Sequence, residues 1–241
     1  MRTRVLIGAG AVLALLALVG GGAYVYYFSG LRTSPAQLGL TATPTATPTA
    51  SSTPATSTGL TGTWTVTSGS VAGYRVKELF AGQASKHEAV ARTPTVSGAL
   101  TVRGGASGYQ VSDVTVTVGL ADLQSKDQVV GRDVSQRDGV VSRQLEVQQF
   151  PTASLTITSA SVPAGITGGP VDVTGAGMLT IHGVTKDVTV KVRAQLVGDK
   201  VEIAGSIAIN MTDYGVSPPQ VPFVTVDSAV TIEFDIFLKK A

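Results

Sequence analysis

The chain has 241 residues, a formal net charge of +2 and no cysteine, which excludes thiolate catalysis, a cysteine-ligated zinc site and a lipoprotein anchored through a lipid-modified N-terminal Cys. Three of its 18 basic residues, Arg2, Arg4 and Arg32, precede residue 59, whereas all 16 acidic residues follow it, so the C-terminal part carries −1. That balance lacks the concentrated basic surface of a nucleic-acid-binding domain.

Residues 5–31 contain no charged side chain, a length sufficient to cross a bilayer as a helix. Arg2 and Arg4 precede the run, and Tyr24, Tyr26, Tyr27 and Phe28 lie near its far end, where aromatic rings favour the membrane–water boundary. The segment 1–31 reads as an N-terminal transmembrane anchor with the C-terminal part outside the cytoplasm. The rival reading is a cleaved signal peptide with Gly21 and Ala23 before the cut, which would release the rest as a secreted protein. From 32 to 59 Thr, Pro, Ala and Ser dominate. With no apolar periodicity and prolines that remove backbone donors, this stretch is expected to be a disordered spacer acting as a plain tether, with O-glycosylation of its Thr and Ser as the alternative reading.

From Leu60 the pattern turns to period 2, apolar alternating with polar, the mark of strands with one buried and one wet face. Trp64 and Val66 alternate with threonines, and Ala72, Tyr74 and Val76 with Gly73, Arg75 and Lys77. Further runs are 96–102, 110–118, 154–158, 171–181, 186–196, 201–211 and 224–238. In the last of these Val230, Ile232, Phe234, Ile236 and Leu238 share one face. Turn residues predict hairpins at 103–108, 182–183 and 198–199. One stretch, 140–150, has helical spacing and ends before Pro151. Eight or nine strands with short turns and one short helix make 60–241 an antiparallel barrel or sandwich. The domain has few large aromatics, so a closed eight-stranded sheet would not fill its own interior with them.

Four segments in order resemble the YceI-like family of lipid-binding β-barrels. They are Gly62-Thr63-Trp64-Thr65-Val66 with Ser70 to Val76; Arg137-Asp138-Gly139 through Phe150-Pro151; Gly177 through Leu179-Thr180-Ile181-His182-Gly183-Val184-Thr185-Lys186; and Ile209-Asn210-Met211-Thr212-Asp213-Tyr214-Gly215-Val216. The resemblance implies an all-β, eight-stranded, lipocalin-like antiparallel barrel over 60–241, with a tunnel for a polyisoprenoid chain such as that of a prenylquinone. Three positions depart from the pattern: Gly69 stands where many members have His, Met211 where many have Arg, and Leu155 where Phe is usual.

Such a tunnel needs inward apolar side chains and no catalytic group, so neither cofactor nor metal nor enzymatic activity is expected. The candidate lining is Trp64, Tyr74, Val76, Val114, Val116, Leu155, Ile157, Leu179, Ile181, Val190, Met211 and Phe234. His87 and His182 are far apart in sequence, and His182 is read as an exposed turn residue. No G-x-S-x-G, H-E-x-x-H or P-loop pattern occurs. Asp127, Asp133 and Asp138 alternate with Arg132 and Arg137 and are expected to order one loop, with Arg137–Asp138 as the principal pair. Asp213-Tyr214-Gly215 reads as a bend between strands, and 218–223 as an ordered loop capping one barrel end. The expected function is binding, sequestration or transport of an apolar lipid outside the cytoplasm. The competing reading is a stress-related or structural surface module with a filled barrel and no lipid.

Overall fold

The computed structural model describes residues 15–22, 32–40, 59–105, 108–219 and 221–241. Among them are thirteen strands: β1 (Arg32–Thr33), β2 (Gly62–Val66), β3 (Val71–Phe80), β4 (His87–Thr93), β5 (Val96–Gly105), β6 (Gly108–Gly119), β7 (Gln124–Ser125), β8 (Gln128–Val129), β9 (Thr152–Val162), β10 (Val171–Ile181), β11 (Val184–Val197), β12 (Lys200–Asn210) and β13 (Val224–Lys240). A helix, Gln136–Gln144, lies between β8 and β9, and single 3₁₀ turns cover Ala164–Thr167 and Met211–Tyr214.

Every pairing is antiparallel, and eight strands close a ring in the order β2-β13-β12-β11-β10-β9-β6-β5. The closing strand β13 is long enough to have two neighbours on one side. Its last residues pair with β2, Leu238 opposite Val66, and its first half pairs with β3, Phe234 opposite Ala72. Since β5 pairs with β2 and not with β3, the wall is continuous at the β2 end. Towards the other end β3 carries β4 and β7 away from the ring. The barrel is therefore closed at one end and splayed at the other, with the Gln136–Gln144 helix packed by β7 at the splay. At the closed end Trp64, Leu100, Val102, Ile236 and Leu238 form a compact buried cluster.

The most specific motif has a structural explanation. His182 and Gly183 both take positive φ, 51° and 72°, in the two-residue turn between β10 and β11, the geometry that suits the right-handed twist of a hairpin. A Cβ on Gly183 would lie 2.7 Å from the Phe150 ring, and the His182 ring meets the same Phe150 edge-on at 4.8 Å. The turn therefore receives the segment that follows the helix, which ties two of the family-like motifs together. His182 is accordingly not the exposed imidazole expected from the sequence; its Nδ1 lies 3.3 Å from the Tyr214 carbonyl oxygen.

Three other expectations need correction. The helix runs from Gln136 to Gln144 and not from 140 to 150: Glu146 takes φ 46° and ends it well before Pro151. Arg137 and Asp138 do not pair with each other; Asp138 accepts from the Ser125 backbone and hydroxyl at 2.9 and 2.7 Å, while Arg137 turns to other carboxylates. Residues 32–40 are not part of a free spacer. Arg32 and Thr33 pair with Val129 and Gln128, and the following residues lie along the outer wall of β3, β4 and β13. There the carbonyls of Pro35 and Ala36 accept from Arg75 and Arg92, and the Leu38 amide donates to Glu233 at 3.1 Å. Beneath them Glu233, with no exposed surface, receives Arg75 Nε at 2.7 Å and Arg92 Nε at 2.8 Å. Two cations and one fully covered carboxylate on the outside of a barrel need such a cover, because a desolvated ion pair requires its remaining hydrogen-bonding positions filled.

At the N-terminus, residues 15–22 are helical, with Leu15, Leu16, Leu18 and Val19 exposed. No helix among the described residues is long and apolar enough to cross a membrane. The remainder of the 1–31 anchor and the Thr/Pro-rich residues 41–58 lie outside the described residues.

Gly183→Ala is expected to cost about 2–4 kcal/mol, combining left-handed backbone strain with displacement of Phe150. Gly198→Ala, whose φ is 63° but whose Cβ meets open space, is expected to cost only about 1–2 kcal/mol. Urea midpoints of the two variants give the difference, which isolates the Phe150 contact.

Candidate functional site: an apolar barrel cavity with a charged mouth

Inside the ring lies a cavity of about 830 Å³, within the roughly 300–1,000 Å³ of small-molecule sites. Its existence follows from strand periodicity and side-chain size. On β10, Val173, Leu179 and Ile181 point inward, and on β12, Ile203, Ile207 and Ile209. Ala72, Ala153, Ala160 and Ala194 also contribute small side chains to the wall. Residues of this size leave the axis of an eight-stranded ring vacant.

Of the twelve residues proposed from sequence, eleven line this cavity: Tyr74, Val76, Val114, Val116, Leu155, Ile157, Leu179, Ile181, Val190, Met211 and Phe234. Trp64 does not. It sits in the closed-end cluster, below the cavity floor, with its Nε1 donating to the Leu60 carbonyl at 2.8 Å. Of the three departures from the family pattern, Leu155 and Met211 lie on the wall, while Gly69 is in the turn before β3, against Phe237. Several lining residues were missed although the signal for them existed: Val230, Ile232 and Ile236 share the inward face of Phe234. Others had no such signal. Val140, Val141 and Leu145 reach the cavity from the helix and the residue after it, and periodicity alone does not say which body a helix covers.

The lining residues that are also exposed come from two segments, 131–143 and 217–223, so the mouth lies between the helix and the loop before β13. Phe223 is 56% exposed there, and Val130, which immediately precedes the rim residues 131–134 in sequence, is 60% exposed.

Just inside the mouth is a buried charge network that sequence reading did not assemble. Glu78 and His87 are directly opposite on β3 and β4. Asp127, with a fully covered carboxylate, lies within 2.7 Å of His87 Nε2 and accepts the Val90 amide at 3.0 Å. Arg137 enters from the helix, donating to Asp127 at 2.7 Å and to Glu78 at 2.6 Å. Burial alone would raise the Asp127 carboxyl, but hydrogen bonds from His87, Arg137 and Val90 outweigh it and hold the group far below the usual carboxylate range. Burial raises Glu78, and Arg137 offsets only part of that. Burial likewise raises the Tyr74 hydroxyl, with the Arg137 charge opposing it. Glu78, His87 and Asp127 bring three potential metal-ligand atoms within 4.8 Å of one another. The guanidinium bonded to both carboxylates already supplies the positive charge, so the trio is satisfied as an ion-pair network. Its chemical effect is to fasten the helix to the splayed strands and to place a guanidinium, a carboxylate and a phenol on the wall of a cavity whose strand-borne lining is mainly aliphatic.

The fold and cavity define an antiparallel barrel with a mainly apolar interior that opens at its splayed end. The YceI-like domain family matches over residues 46–238, and the chain belongs to that family. Among solved structures, a polyisoprenoid binding domain from Saccharophagus degradans implicated in plant cell wall breakdown is similar at 15% identity and TM-score 0.50, covering 74% of this chain and 98% of that one. Burkholderia cenocepacia BcnA is similar at 19% identity and TM-score 0.43, covering 68% and 95%. The Campylobacter jejuni YCEI protein is similar at 16% identity and TM-score 0.44, covering 69% and 86%. No curated protein sequence matches the chain.

Arg137→Met leaves Glu78 and Asp127 buried without their cation and is expected to cost about 3–5 kcal/mol at pH 7.5. In the intact protein the depressed Asp127 contributes stability that is complete above its ordinary value near 3.8 and is lost as the pH falls below it. In the variant, Glu78 has lost the cation that offset its burial and takes up a proton on mild acidification. The deficit against the intact protein is thus expected to be smaller at pH 5 than at pH 7.5. Chemical denaturation at the two pH values measures this.

Proposed function

We propose that the barrel binds one long apolar lipid, of the polyisoprenoid class, outside the cytoplasmic membrane and shields its chain from water. The observation that carries this reading is the 830 Å³ cavity walled by aliphatic side chains on every strand of the ring. Burial of hydrocarbon contributes roughly 0.8 kcal/mol per CH₂, so each five-carbon unit adds about 3–4 kcal/mol before ordering costs. Affinity therefore requires no charged contact along the tunnel. Arg137, Glu78 and Tyr74 near the mouth suit a polar head group that stays close to water, such as a quinone ring or a phosphate. The ligand class comes from the Saccharophagus degradans domain, which is described as polyisoprenoid-binding; here it is a proposal for a distant relative of the same fold.

A role as a binder and not an enzyme is supported by the chemistry at the mouth, where the polar groups bond mainly to one another and no activated nucleophile accompanies His87. Location outside the cytoplasm is supported by the uncharged run 5–31 behind Arg2 and Arg4. The cavity argues against the reading in which the barrel is filled by its own side chains. In this proposal the lipid is sequestered or carried and is not chemically changed.

The test narrows the tunnel without touching its mouth. Val116→Trp and Ile157→Trp, both on half-buried cavity positions, are expected to lower uptake of a radiolabelled C40 prenylquinone at least tenfold while the circular dichroism spectrum stays that of the parent. Equal uptake by parent and variants, or none by the parent, would refute the proposal.

A further inference from the structure

Residues 32–40 dock against the barrel, and their direction carries information about how the barrel sits. Arg32 and Thr33 pair with Val129 and Gln128, immediately before the exposed Val130 and the rim residues 131–134. Arg32 also donates to the Gln83 side chain at 2.7 Å and to the Ser85 hydroxyl at 2.9 Å, in the β3–β4 turn at the splayed end. From there the segment runs away from the mouth. Ser34 donates to the Glu88 carbonyl, Pro35 and Ala36 accept from Arg75 and Arg92, and Leu38 reaches Glu233 midway along β13. Among the described residues, the segment thus first meets the barrel at the mouth.

What precedes Arg32 is the uncharged run 5–31, whose residues 15–22 are helical with large aliphatic side chains 62–76% exposed. Arg32 is the first charge after that run. If the run is embedded in a bilayer, the residue bonded to the mouth rim is also the residue at the bilayer boundary. The rim facing that boundary exposes Val130 and Phe223, an aliphatic and an aromatic side chain that suit the interfacial layer.

We propose that residues 32–40 are a clasp that holds the barrel mouth-down on the membrane from which the chain emerges, with Val130 and Phe223 entering the lipid interface. This rests on the proposed anchor and lipid reading and adds the partner surface and the orientation: the lipid passes between bilayer and cavity without crossing water. The clasp also divides the Thr/Pro-rich region. Residues 32–40 hold the barrel at short range.

Because the chain has no cysteine, a single one can be introduced for labelling. The full chain carrying Phe223→Cys or Asp199→Cys, the latter in the turn at the opposite end, is labelled with a nitrobenzoxadiazole fluorophore. Each is reconstituted in phosphatidylcholine–phosphatidylglycerol vesicles containing lipid with a nitroxide high on the acyl chain. Quenching is expected to be at least twofold stronger at Phe223 than at Asp199. A twenty-residue Gly/Ser insertion between Leu31 and Arg32 keeps the clasp on the barrel but parts it from the apolar run, and is expected to bring the Phe223 value down to that of Asp199. Equal quenching in the uninserted chain, stronger quenching at Asp199, failure of the chain to float with the vesicles, or asymmetry untouched by the insertion would each overturn the proposal. Lipid extracted from the same samples is quantified in parallel. Asymmetric quenching in a protein that takes up no prenyl lipid would sink the ligand reading and leave the orientation standing, and the reverse result would do the opposite.

Discussion

An eight-stranded ring holds a fixed cross-section whether or not its side chains fill it. In this protein the cavity lining is dominated by Val, Leu, Ile and Ala, with Tyr74, Phe80, Tyr214, Phe223 and Phe234 as its aromatic members. The strands are long, up to 17 residues in β13, so the deficit extends along the axis and produces a channel and not a scatter of small voids. An interior of this kind loses dispersion contacts on every wall atom that faces empty space. A hydrocarbon ligand restores them, which makes occupancy favourable for the fold as well as for the ligand.

The splayed end exists because β13 is shared between β2 and β3, and the protein fastens it with charge. β3 alternates sides, so its inward Glu78 and outward Arg75 serve two separate networks. Inside, Arg137 joins Glu78 to Asp127 and holds the helix over the opening. Outside, Arg75 and Arg92 grip the buried Glu233 under residues 32–40. Both networks lie where the sheet has lost its continuous ladder, and both use Arg, whose planar fork bonds two carboxylates or a carboxylate and a carbonyl at once. A hydrophobic cluster around Trp64 seals the opposite end.

The period-2 pattern made the strands legible, and β10 over 171–181 matches its expected limits, its C-terminal end being set by the local His182–Gly183 turn. The lining was legible for the same reason: once a strand faces the ring, parity assigns its residues, and eleven of twelve assignments fall on the cavity. Trp64 failed because parity gives the face and not the height along the axis. The mouth was not legible. Arg137 meets Glu78 across 59 positions and Arg75 meets Glu233 across 158, and nothing in the local spacing of these residues announces either contact. The helix limits were misplaced because the stop comes from Glu146 in a left-handed conformation and not from Pro151. Residues 32–40 read as spacer because beyond Ser34 their contacts to the wall use backbone carbonyls and amides, which composition does not reveal.

Occupancy of the channel is the central claim, and native mass spectrometry of the full chain isolated from its own membrane without added lipid tests it most directly. The expected spectrum shows the protein carrying one additional molecule of hydrocarbon-rich mass, which is lost after extraction into chloroform–methanol. A spectrum of bare protein in repeated preparations, with the cavity found to hold only water, would contradict it.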